Sequence, residues 1–193
     1  MEAPTLSAWL QLIGRDGWRK AAMDSAAGDK FDALAAFQEH VATEATNGAR
    51  GSGSTRERLF DGLMQGFDAL QAERAAVLAV WKSRDPGVAA LIAGRAGWQL
   101  RRLATAAGVD VSGVRGQVRL AALAALALKA FGTWRQDEAA DMSGTMAELD
   151  RLLDKAERAE TQGLSADLIG LPGLSSLGDR LSALLPFSGR PGD

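Results

Sequence analysis

The sequence predicts an all-α helical bundle, and three observations carry that expectation. Apolar residues recur at helical spacing along most of the chain. No stretch alternates apolar and polar residues, or clusters β-branched ones, as a strand would. The segments end at glycine, or at a proline whose preceding residue is pushed out of helical geometry.

The first fifty residues hold two helical segments. "WLQLIGRDGW" (9–18) closes on an aromatic, and "DKFDALAAFQEHVATEA" (29–45) is amphipathic. "NGARGSGS" (47–54) follows and reads as a flexible connection, which sets off a region 1–47 and a linker 48–54 from a helical domain 55–160. Leu59, Leu63, Phe67, Leu70, Val77 and Trp81 then share one face of a helix expected over 55–82, with Ser54 or Thr55 as N-cap. "RDPG" ends it. Further helices are expected over 88–107, 114–134 and 141–158. The last segment, 161–193, is rich in Gly, Ser and Pro. It still places Leu174, Leu177, Leu181, Leu184 and Leu185 on one stripe of an amphipathic helix.

Composition narrows the function. The chain has 193 residues, no cysteine and one histidine, so thiolate and disulfide chemistry are excluded and acid–base catalysis near neutral pH has few carriers. A net charge of −2 provides no general attraction to phosphate. The most apolar run, "LAALAALALKAFG" (120–132), is short for a bilayer and broken by Lys129, which fits a buried helix. Glu2 and the interruptions at Gln11 and Gly14 do not fit a secretory signal. The expected setting is cytoplasmic, with the tail able to hold the protein at the inner membrane.

No catalytic constellation emerges, and no cofactor or metal is expected. Asp137, Glu138 and Asp141 read as solvated charges and a helix cap. His40 has no second histidine for a metal site. "GARGSGS" lacks the Lys-Ser/Thr pair and the strand of a phosphate loop.

"RERLFDGLMQGFDALQAERAAV" (56–77), the helix over 114–134 and "WRQDEAADMSGTMAELDRLLDKAER" (134–158) together resemble the regulatory domain of TetR-type regulators. They are most similar to a branch related to the lipid-binding proteins of ubiquinone biosynthesis, in which a Trp, an acidic turn and Asp-x-x-x-Thr-Met-x-x-Leu-Asp recur. The resemblance covers about 6–158. It implies a helix-turn-helix before the bundle, with 29–45 as the linking helix. Only eleven residues then separate Trp18 from Lys30, whereas two short helices and a turn need roughly 18–20. The recognition helix is expected to be missing. The segment up to Asn47 is also net negative, and only Arg19 within that gap reaches like a base-reading side chain. The competing alignment makes 30–37 the reading helix and keeps a DNA-binding regulator as the alternative.

The resemblance implies an apolar ligand pocket, for which Phe60, Met64, Phe67, Trp81, Trp98 and Trp134 are the candidates; a filled core is the plainer account of each. It also implies a homodimer formed by the last two bundle helices, with Ala121, Ala125, Leu128, Met142, Met146, Leu149 and Leu153 at the interface. An intramolecular hairpin is the alternative. The tail leucines would contact the chain's own bundle, a protein partner or a membrane. The expectation is a non-enzymatic binder of an apolar small molecule, lipid or protein. A third reading is a membrane-associated protein that presents lipids to biosynthetic enzymes.

Overall fold

A computed structural model describes residues 27–161, with side chains from Lys30 onward. Among these residues it contains six helices and no strand. They are α1 (Ala27–Gly48), α2 (Thr55–Ala72), α3 (Arg74–Ser83), α4 (Pro86–Ala106), α5 (Gly113–Trp134) and α6 (Ser143–Thr161). No described helix is long and apolar enough to cross a membrane.

The α1 helix packs mainly on α2 and then on α4. Its approach to α2 is made by small residues. A β-carbon on Gly62 would lie 2.7 Å from the Ala45 carbonyl oxygen and 2.8 Å from Ala49 Cβ, closer than real atoms come. The 47–54 stretch therefore joins two helices in intimate contact: Ala49 is fully buried, and Gly53 makes the bend at φ +123°. An expected flexible connection is, in the structure, a short turn between packed elements.

A capping box starts α2. The Ser54 side chain accepts from Glu57 N at 3.2 Å, and Glu57 accepts from Ser54 N at 2.7 Å. The single helix expected over 55–82 is two, broken at Glu73. Apolar periodicity continues across the break and so conceals it. The break coincides with Arg74, whose guanidinium is directed at the end of α5, as described below. Arg84, in the left-handed region at φ 50°, closes α3. Asp85 then caps α4, accepting from Gly87 N at 2.8 Å, with Pro86 in the first turn where its missing N–H costs nothing.

Leu63 and Phe67 of α2, Leu103 of α4, Leu123, Leu126 and Trp134 of α5, and Leu149, Leu152 and Leu153 of α6 form the main core. A smaller cluster of Ala33, Leu34, Ala76, Val80 and Val88 joins the start of α1 to α3 and α4. Beside it, Lys30 is fully buried and ion-paired with Asp85. Burial alone would raise the Asp85 pKa; the Lys30 hydrogen bond and charge and the Gly87 N–H outweigh it and hold the carboxyl below its usual range.

Candidate functional site

The six pocket candidates stand in different environments. Phe67 and Trp134 are buried in the main core, while Phe60 and Met64 are half-buried against it. Trp81 and Trp98 are 49% and 57% exposed. Trp81 meets Phe131 edge-on at 5.4 Å, and Phe131 stacks on Trp134 at the same distance, so those three form one aromatic row from surface to core. Trp98 stands apart on α4. Phe60 alone of the six reaches a cleft of about 460 Å³ at the start of α2. The other residues lining it are Ser52, Gly53, Arg56, Glu57, Asp61 and Asp150, a polar set unsuited to an apolar ligand.

The expected dimer interface also divides. Met142, Leu149 and Leu153 are buried in the chain's own core, and Met146 is half-buried. These three side chains are spent on packing within the chain. Ala121 and Leu128 are exposed on α5, and Ala125 is half-buried there.

Residues 30–37, the reading helix of the competing alignment, belong to the first part of the continuous helix α1. Lys30 is turned inward to Asp85, and Ala33 and Leu34 are buried in the smaller core. The earlier residues, including all but the end of the Trp18–Lys30 interval, and the tail leucines Leu174, Leu177, Leu181, Leu184 and Leu185 lie outside the described residues.

The Trp–acidic turn–Asp-x-x-x-Thr pattern acquires a physical explanation at the α5–α6 junction. Trp134 Nε1 donates to Gln71 Oε1 at 3.0 Å. Arg74 lies 4.6 Å over the Trp134 ring and donates to the carbonyl oxygens of Trp134, Arg135 and Asp137 at 3.0, 3.3 and 2.8 Å. These include carbonyls at the end of α5 that have no partner within the helix. Asp137 in turn accepts from the backbone N and hydroxyl of Thr145 at 2.7 and 2.8 Å, fastening the start of α6. The motif builds a joint. Asp141 accepts from Ser143 N at 3.1 Å near the start of α6, as a cap does. His40 is exposed on α1, and the described residues contain no metal-competent group of three His, Cys, Asp or Glu.

What remains on the surface is apolar area on α4 and α5. On α4, Ile92 is 42% exposed, as Trp98 is further along the helix, and Gly94 and Gly97 have open space where a β-carbon would stand. The helix carries Arg95, Arg101 and Arg102 and no acidic residue. Arg102 lies 4.6 Å over the Trp98 ring, and Arg95 and Arg102 both pair with Glu39 of α1. The Arg102 hydrogen bond keeps the Glu39 carboxyl below its ordinary pKa. Val114, Val118 and Leu128 are exposed on α5. Ile92, Val114 and Val118 escape a reading by residue type, because single aliphatic residues at helical spacing look like core. No protein-family profile, curated protein or solved structure matches the chain.

Proposed function

We propose that this chain is a non-enzymatic, TetR-like binding protein that has given up DNA reading and engages a lipid through the exposed face of α4. One observation carries the reading: a half-exposed tryptophan and an isoleucine stand on a helix whose only charged residues are arginines. An aromatic flanked by guanidinium groups suits the boundary between acyl chains and anionic headgroups. The inward use of Lys30, and of the helix face around it, supports the loss of DNA reading.

The test is flotation of the full chain with phosphatidylcholine vesicles, with and without phosphatidylglycerol. Binding is expected, stronger with the anionic lipid. The double variant Ile92→Ala/Trp98→Ala should weaken it at least about tenfold, given the apolar area removed. Loss of binding in Leu181→Asp with none in the α4 variant would assign the lipid contact to the tail and overturn the α4 reading.

A further inference from the structure

Glu39 of α1 is held by two arginines of α4. Its carboxylate accepts one hydrogen bond from the Arg95 guanidinium at 3.2 Å and a shorter one from that of Arg102, one on each oxygen. Neither contact is the two-bond fork that makes an arginine–carboxylate pair strong. Two cations meet one anion, so the cluster keeps an excess of one positive charge. The Arg95 Nε is buried without a hydrogen-bond partner, and its guanidinium is therefore only partly satisfied. The three side chains are between 29% and 38% exposed, and ion pairs in such positions are weakly held. Arg102 also lies 4.6 Å over the ring of the half-exposed Trp98.

We infer that Glu39 is an internal stand-in for an anionic lipid headgroup, occupying the Arg95–Arg102 cradle until a lipid phosphate displaces it. The inference rests on the lipid reading of α4. It adds the residues that hold the headgroup and the one that competes with it. A carboxylate spanning two guanidiniums presents two oxygens and one negative charge, and a phosphodiester presents the same to the same donors. Release of Glu39 costs little, because the side chain is exposed and its carboxylate turns to water, leaving no charge buried alone. Trp98, stacked under Arg102, then stands beside the headgroup, where an indole suits the boundary between head and chain. A zwitterionic lipid carries the phosphate together with an ammonium of its own, so it displaces Glu39 poorly. The contact thus sets a threshold that selects for a net anionic surface.

Flotation of the full chain with vesicles of phosphatidylcholine, alone and with phosphatidylglycerol added, tests this. Glu39→Gln should strengthen binding to the anionic vesicles about fivefold and leave binding to the neutral ones unchanged. Glu138→Gln makes the same change of charge at an exposed acid in the α5–α6 turn, and should stay within about twofold of wild type. Arg95→Gln/Arg102→Gln should abolish the preference for anionic lipid, and adding Glu39→Gln to it should change nothing further. Inorganic phosphate at matched ionic strength should displace little protein; full displacement would assign the cradle to a free anion and overturn the headgroup inference. Circular dichroism verifies that each variant is folded. A gain by Glu39→Gln on both kinds of vesicle would mean that it loosens α1 from α4. An equal gain by Glu138→Gln would mean that net charge alone acts, and no gain would make Glu39 a bystander. Each of these three overturns the inference while the lipid reading of α4 stands. Absence of binding by wild type and variants alike would end the lipid reading, and this inference with it.

Discussion

Thr145 and Asp137 show how much one hydroxyl can organise. Thr145 is fully buried, and both its hydroxyl and its backbone N–H are committed to one Asp137 oxygen. The hydroxyl bond is the leading reason that the Asp137 carboxyl titrates below its ordinary value; the backbone N–H groups of Thr145 and Ala139 and the charge of Arg74 add to it against the cost of burial. A carboxyl whose folded pKa lies below its unfolded one stabilises the fold above the unfolded value near 3.9, and that contribution is lost as pH falls through the folded value. Thr145→Val keeps the shape and removes the hydroxyl. It should cost about 1.5 kcal/mol at neutral pH by urea denaturation. The gap between variant and wild type should then close as the solution is acidified below about pH 4. Stability curves that stay parallel into acid would show that the hydroxyl acts by packing alone.

At the scale of the helix, contact between α1 and α2 depends on what is missing from Gly62. Gly62→Ala would drive a methyl group into the Ala45 carbonyl and Ala49, neither of which can swing aside as a flexible side chain does. Overpacking of this kind should destabilise the protein by about 2 kcal/mol, and hydrogen exchange should accelerate first around the end of α1. An unchanged denaturation midpoint would mean that the two helices separate freely. The helices themselves were legible from their sequence, because caps such as Ser54 and Asp85 and the proline at 86 act locally. Their orientation was less so. Periodicity reveals that α5 is apolar, but two of its sides carry similar residues, and only the packing of α2, α4 and α6 selects which one is buried. For the same reason Trp134 became core while Trp98, equally apolar, stayed outside. The break at Glu73 was hidden because it answers to Arg74 and the end of α5, some sixty residues further along the chain.

At the scale of the whole bundle, the described residues combine a packed core with exposed apolar side chains on α4, beside its arginines, and on α5. A regulator would invert that balance and keep its cationic groups for nucleic acid. A mobility-shift assay at low salt, with genomic fragments and the gene's own upstream region, should therefore show no specific retardation. A retarded, competition-resistant band would restore the alternative of a working regulator.

Finally, α1 is fastened at both ends. Its beginning is tied to the α3–α4 turn by Lys30 and Asp85, and its end is locked over Gly62. A rod pinned at two points cannot swing like a pendulum. A displacement of α4 would therefore reach α1 as strain at those two points and not as a tilt of the whole rod.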